Sequence, residues 1–295
     1  MTKEEKVPIF KRFPRTFWVA NCIELFERWA WYGFYFLFAS YLTDSFDHGG
    51  LQFEQWQKGV IMGIGTGILY FLPVITGSIS DRYGFRNVLI VAFIVYISAF
   101  IAIPHFTSFV GVFSIFLYLA LGAALFKPII AATVAKTTDD KTASIGFGIF
   151  YMMVNIGAYI GPMVALVYKN TPPMVFYISA GAIAVNFFLL FIYKEPRAEG
   201  ENLENGFSVF LKIISTLFTS IVVFVSLFLV FLLIWLIELP LFFIKYKEKF
   251  AKKWARLVLK LPIGEANLKV FESITEIFFD SKFITFLVIV AGFWA

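Results

Sequence analysis

The stretch FWVANCIELFERWAWYGFYFLFASYL, residues 17–42, decides how the rest of the chain is read. A helix needs about 20 residues to cross a hydrocarbon core of roughly 30 Å, and this segment is long enough. It is apolar and aromatic except at Glu24, Glu27 and Arg28. One charged side chain at mid-bilayer costs at least about 2.5–3.5 kcal/mol, so such groups face a partner or a water-filled cavity. Positions 24, 27, 28, 31, 32 and 35 follow the i, i+3, i+4, i+7 rule, which gathers both carboxylates, Arg28, Tyr32 and Tyr35 on one stripe. Glu24 and Arg28, at i and i+4, can pair directly. A structural ion pair joining two helices is the plainer reading, but three ionisable groups on one stripe favour function.

The surrounding chain supports a membrane reading. Of its 295 residues 60% are hydrophobic and the mean hydropathy is +0.81, far from a soluble domain of this length. Further long uncharged stretches predict spans over 59–80, 88–103, 110–135, 145–167 and 174–193, too long for the strands of a barrel. Lys and Arg mark the loops. The N-terminal segment carries Lys3, Lys6, Lys11, Arg12 and Arg15, and alternate loops carry Arg82 with Arg86, Lys136 with Lys141, and Lys194 with Arg197, while the other side has only Lys58 and Lys169. The positive-inside rule then predicts that both ends of the six-span block lie in the cytoplasm.

The predicted organisation is a cytoplasmic segment over 1–16, a six-helix transmembrane bundle over 17–193 and a polar cytoplasmic linker over 194–206. Then follow one or two extra hydrophobic helices over 207–244, a basic amphipathic cytoplasmic segment over 245–282, and the cut start of a seventh helix over 283–295. A single crossing at 207–244 would put the basic segment outside, so two short crossings or an interfacial helix stay open. The first apolar stretch contains charges and no small-residue cleavage site, so no cleavable signal peptide is expected. Cys22 is the only cysteine, which excludes an intrachain disulfide. The net charge of +5 sits in membrane-flanking loops and needs no nucleic acid. His48 and His105 fall in loops. No metal-ligand spacing, nucleophile and base arrangement or phosphate-binding loop appears, and Gly63-Ile64-Gly65 lies inside a span, so neither an enzyme nor a cofactor is expected.

The fourth span supplies a counterpart to the first. Lys127 sits in an apolar run and is followed by Pro128, which removes a backbone donor. If the six helices form two inverted three-helix repeats, the first and fourth are equivalent, and both carry buried charge. The alternative is that Lys127 snorkels toward Lys136, about two and a half turns away. Between the second and third spans the chain reads Gly77-Ser-Ile-Ser-Asp81-Arg82-Tyr-Gly84-Phe-Arg86. This fits the GxxxDRxGxR pattern of the major facilitator superfamily. Gly77 would let helices approach, Gly84 would allow the reversal, and Asp81 with Arg82 and Arg86 could form breakable ion pairs.

Three segments together resemble the proton-dependent oligopeptide transporter family of that superfamily. ELFERWAWYG at 24–33 looks like its ExxERxxYYG motif, LFKP at 125–128 matches its fourth-helix lysine segment, and FYMMVNIGAYIGP at 150–162 matches FYxxINxG. The resemblance covers 17–193, with weaker similarity at SKFITFLVIVAGFW, 281–294. It implies an all-α major facilitator bundle forming the N-terminal half of a proton-coupled importer of di- and tripeptides, in the bacterial cytoplasmic (inner) membrane. It implies that the proton, rather than a cofactor, is the coupling ion, and that a missing C-terminal six-helix half, lipid and small peptides are the partners. Glu24, Glu27, Arg28 and Lys127 would couple to the proton, with Tyr32, Tyr35, Tyr70 and Asn155 lining the substrate cavity. Three departures bear on cargo: Tyr35 stands where such transporters commonly carry a second Arg, Trp31 replaces the first Tyr of the usual pair, and Ile129 stands where Asn often follows the lysine and proline. Another superfamily symporter or drug exporter, or a non-transporting protein on the same scaffold, remain the alternatives.

Overall fold

The computed structural model describes residues 9–196 and scattered helical positions between 211 and 226. The chain divides into Met1–Glu204 and Asn205–Ala295. In the second unit, Thr219 and Ser226 turn their hydroxyls back to the carbonyls of Ser215 and Val222, at 2.9 and 2.8 Å. The expected segments 245–282 and 283–295 lie outside the described residues, as do most of 207–244 and the linker beyond position 196.

The first unit is built from α1 (Arg15–Thr43), α2 (Gln55–Phe71), α3 (Pro73–Tyr83), α4 (Phe85–Ala102), α5 (Phe109–Lys136), α6 (Ala143–Val167) and α7 (Pro172–Ile192). No strand occurs among the described residues. Among the described residues four helical segments are long and apolar enough to cross a membrane: Phe85–His105, Phe109–Lys136, Ala143–Val167 and Pro172–Ile192. With 29 residues α1 is about 43 Å long, and its charges together with its Trp and Tyr residues leave it less apolar than these four.

The second span, expected over 59–80, is two helices meeting at Leu72. Pro73 has no N–H to give Leu69, while the bonds from Leu72 N to Ile68 O and from Thr76 N to Leu72 O, at 2.8 and 2.9 Å, run on either side. Glu54 and Gln57 form a capping box at the start of α2. Ser108 Oγ accepts from Gly111 N at 3.1 Å and fixes the start of α5.

Two kinds of packing hold the bundle. Near the C-terminal end of α1, Phe34 and Phe38 meet Phe100 of α4, Phe116 of α5 and Phe176 of α7, with ring centroids 4.9 to 5.4 Å apart. Along its middle α1 meets α6 almost backbone to backbone. A Cβ at Gly157 would sit 2.6 Å from Leu25 O and 2.7 Å from Arg28 Cβ, and one at Gly161 would sit 2.6 Å from Gly33 N. Small residues four apart allow this approach, and without a hydrophobic driving force in lipid such contact is what joins helices. On the other side of α1, Ser179 and Asn186 of α7 donate to Ala30 O and Ile23 O at 3.0 and 3.3 Å.

Candidate functional site

The charged face of α1 is turned inward. Glu24, Glu27 and Arg28 are 5%, 0% and 7% exposed, although the helix carries them through what should be hydrocarbon. Arg28 Nε lies 3.1 Å from Glu24 Oε1 and donates to Glu27 Oε2 at 2.5 Å. Arg28 Nη2 is also 2.5 Å from Glu27 Oε2, but at an angle that makes no hydrogen bond. One guanidinium therefore serves two carboxylates, and the trio carries a net charge of −1 when all are ionised. Lys127, half-buried on α5, offers the balancing charge. It acts on both carboxylates and on Arg28 through space, and among the described residues no carboxylate is in ion-pair reach of it. Its Nζ stands 4.3 Å from the centroid of the Tyr70 ring on α2, an aromatic contact that holds a cation without neutralising it.

Two features next to this cluster were not found in the sequence. Tyr96 of α4 is fully buried and donates its hydroxyl to Glu27 Oε1. The available signal was a lone phenol in an apolar span, which needs a partner when buried. Thr76 of α3 donates to Ala124 O at 2.6 Å. Ala124 is four residues before Pro128, so its carbonyl is the one that the proline leaves without a helical donor. The hydroxyl from α3 repairs that gap and ties α3 to α5 one turn from Lys127, as membrane proteins do where proline interrupts a span.

The aromatic stripe divides. Trp31 is buried, stacked on Tyr35 with centroids 5.8 Å apart, and Tyr35 OH lies 3.4 Å from Thr66 Oγ1 of α2. Tyr32 is exposed, with Arg28 Cζ 5.9 Å from its ring centroid. Tyr70 is 70% exposed. Asn155 lies on the open face of α6 and lines a pocket with Gly148, Tyr151, Met152, Ile156 and Tyr159. The structure thus brings Glu24, Glu27, Arg28 and Tyr96 into direct contact, places Lys127 with Tyr70 nearby, and leaves Tyr32, Tyr70 and Asn155 with accessible surface.

A family model described as Major Facilitator Superfamily matches residues 20–293. The chain belongs to this superfamily. It is therefore a multi-pass membrane protein with the fold of a transporter. Among curated relatives it is 28% identical over 154 residues to the uncharacterized transporter YclF of Bacillus subtilis, which covers 51% of this chain and 31% of the relative. It is 29% identical over 154 residues to dipeptide and tripeptide permease B of Salmonella typhimurium, covering 49% and 29%. A crystal structure of a POT family transporter in complex with 5-aminolevulinic acid superimposes with a TM-score of 0.61 at 23% identity, over 84% of this chain and 51% of that one. The curated alignments thus span about a third of those relatives, and the structural match about half of that transporter. The likeness to proton-dependent oligopeptide transporters expected from the motifs is present in both comparisons.

The superfamily loop motif has a distinct local structure. Gly84 links α3 to α4 at φ 86°, a conformation that side-chain-bearing residues rarely adopt. Phe85 N, at the head of α4, donates to Glu195 Oε1 at 2.5 Å, and Lys136 Nζ lies 4.5 Å from the Phe85 ring centroid. Asp81 is exposed and makes no ion pair with Arg82 or Arg86, contrary to the pairing expected from the pattern. Arg82 lies over the Tyr83 ring instead, 5.3 Å from its centroid. Exposed charges gain little from pairing in water, which leaves Gly84 and the cap from Glu195 to hold the turn. Gly77 is looser than expected, since a Cβ there would be 4.0 Å from Pro128 Cβ, an ordinary contact.

Proposed function

We propose that this protein is a proton-coupled symporter that imports di- and tripeptides or similar small solutes by alternating access. The six-span bundle would rock against a second bundle around a central site. The observation that carries this reading is the buried cluster in which one Arg28 is shared by Glu24 and Glu27 while Lys127 stands apart, held over Tyr70. Protonation of one carboxylate turns the net charge of the four groups from zero to +1. It frees cationic capacity on Arg28 and Lys127 for an anionic group of the solute, and solute release lets the proton leave. Tyr32, Tyr70 and Asn155, all accessible, line the solute path.

The cargo class is supported by similarity to a dipeptide and tripeptide permease. A narrower reading rests on Tyr35, a neutral side chain stacked on Trp31 where peptide transporters commonly carry Arg. It favours solutes whose carboxylate needs only one cation. The excess of Lys and Arg in the N-terminal segment and alternate loops supports a cytoplasmic N-terminus in a bacterial inner membrane.

The test is uptake of labelled di- and tripeptides into proteoliposomes holding the full-length protein under an inward proton gradient. Accumulation that collapses with a protonophore is expected, and Glu27→Gln should lose accumulation while keeping some counterflow. A Glu27→Gln protein that still concentrates peptide against a gradient would sink the coupling assignment. Wild-type vesicles without any proton-dependent flux would sink the functional reading itself.

A further inference from the structure

Where the chain enters α1 it carries a patch of rings and cations that lies apart from the charged cluster. Ile9–Arg12 forms a turn of 3₁₀ helix, and Pro14, extended at φ −68° and ψ 161°, separates that turn from α1. Phe13 and Phe17 are buried and stack with centroids 4.3 Å apart. Both reach the start of α6, where a Cβ at Gly146 would lie 3.4 Å from each ring, so the turn is held against the base of the bundle. Trp18, half-buried, packs edge-on to both at 6.0 and 5.3 Å. Phe10 lies next to Trp18 with centroids 6.3 Å apart and is 60% exposed.

Cations surround these rings. Lys11, Arg12 and Arg15 are exposed, and among the described residues no carboxylate is in ion-pair reach of Lys11 or Arg15. The first turn of α1 holds no acidic side chain. Thr16 Oγ1 donates to Lys194 O at 2.9 Å, which brings exposed Lys194 to the same end of the bundle. Water satisfies cations alone and hydrocarbon satisfies rings alone. Held side by side where a spanning helix begins, the two match a charged headgroup and the acyl chains beneath it.

We propose that Phe10, Lys11, Arg12, Arg15 and Trp18 form a docking surface for anionic phospholipid, the cations holding headgroups while the two rings rest in the hydrocarbon below. The chain itself offers two rival occupants. The stretch 245–260 repels the patch, since its many Lys and Arg residues are opposed only by Glu248. The stretch EPRAEGENLE, 195–204, is acidic, but its one large apolar residue is Leu203, so it answers the cations and leaves the rings in water. Its Glu195 is also engaged already, at Phe85 N. An anionic lipid answers both halves of the patch, and each Lys or Arg near such a surface contributes roughly a fivefold preference.

The experiment reconstitutes the full-length protein in phosphatidylcholine liposomes that contain a fixed minor fraction of lipid brominated in its acyl chains, either phosphatidylglycerol or phosphatidylcholine. Each protein is measured beside its Trp18→Phe counterpart, so that the difference in emission reports quenching of Trp18 alone. Brominated phosphatidylglycerol should quench at least about fivefold more effectively than brominated phosphatidylcholine. Lys11→Gln/Arg15→Gln should lose most of that preference, and Lys58→Gln/Lys169→Gln, at the other end of the bundle, should keep it. Raising salt to 1 M, where the Debye length is about 3 Å, should erase the preference while quenching by phosphatidylcholine persists. Equal quenching by the two lipids in wild type overturns the proposal, as does a preference untouched by Lys11→Gln/Arg15→Gln. Quenching by neither lipid shows the patch covered by protein, with 195–204 as the occupant, and overturns it as well. Transport does not enter the test, so failed peptide uptake would sink the proposed function and leave this surface standing.

Discussion

Replacing Gly157 by Ala tests the contact that brings α6 against the charged part of α1. The new Cβ would lie 2.6 Å from Leu25 O, 2.7 Å from Arg28 Cβ and 2.9 Å from Trp29 N. Ordinary contact begins at 3.4 Å, so α1 and α6 must separate by about 0.7 Å at Arg28. Two of the three atoms are backbone, so no side-chain rotation relieves the clash. Overpacking of this kind costs about 1–3 kcal/mol. Exchanging a mid-helix glycine for alanine returns roughly 0.5–1 kcal/mol through lower backbone entropy in the unfolded chain. Gly181→Ala on α7 isolates that second contribution, because no described atom lies within 4 Å of its Cβ. The two variants should therefore differ by about 1–3 kcal/mol, or roughly 2–12 °C in melting temperature at 2–4 °C per kcal/mol for a domain of 150–250 residues. Thermal unfolding in detergent, followed by tryptophan fluorescence, measures the gap. Uptake should fall more steeply than stability, because the same 0.7 Å shifts Glu24, Glu27 and Arg28 together relative to Tyr96 of α4 and Lys127 of α5, and misplacement on this scale can cost about a hundredfold in rate. Equal melting temperatures for Gly157→Ala and Gly181→Ala would refute the close-packing argument.

Four further perturbations follow from the structure. Thr76→Val removes the donor that serves the carbonyl freed by Pro128, leaving Ala124 O buried and unpaired at a cost of about 1–3 kcal/mol; a melt unchanged from wild type would show the bond to be incidental. Gly84→Ala forces a side chain into φ 86° at about 1–3 kcal/mol, so it should lower thermal stability where Gly77→Ala, with room for its Cβ, does not. Lys127→Ala should abolish proton-driven accumulation, and unchanged uptake would support the snorkelling alternative. In the loop between α5 and α6, Asp139 Oδ1 accepts from Thr142 Oγ1, Thr142 N and Lys141 N at 2.6, 2.8 and 3.1 Å, which holds its carboxyl below the usual range. Because the folded value is the lower one, the stabilisation is present above the ordinary Asp range near pH 3.9 and is lost as pH falls through the folded value. The protection factor of the Thr142 amide should therefore fall on acidification in wild type and be low at every pH in Asp139→Ala.

The candidate site was legible in part, and the limit has a physical cause. Glu24, Glu27, Arg28 and Lys127 stood out because charge within a long apolar run is costly, so their presence alone implies a shared interior face. Tyr96 and Thr76 could not be singled out in the same way. A tyrosine or threonine in a span is common, and what makes these two matter is the partner, an oxygen of Glu27 and the carbonyl above Pro128, each on another helix. Pro73 was read inside one span, where it divides two helices, because apolar character measures length and not direction. Asp81 makes no ion pair with Arg82 or Arg86 in this structure, because charges near in sequence but exposed have little cause to bond.

The sequence by itself determined that the chain is an all-α membrane protein, where its long apolar segments lie, which of them carry charge, and which loops carry Lys and Arg. These follow from hydropathy, spacing and motif, each a property of one segment and its solvent. Only the tertiary structure decided that Gly157 and Gly161 seat α6 against α1, that α4 supplies a phenol to Glu27, and that Lys127 rests over Tyr70 and not on a carboxylate. Each of these depends on atoms from two helices coming within about 4 Å, and helix packing in a bilayer is set by the fit of small surfaces and single hydrogen bonds, which no one-dimensional pattern records.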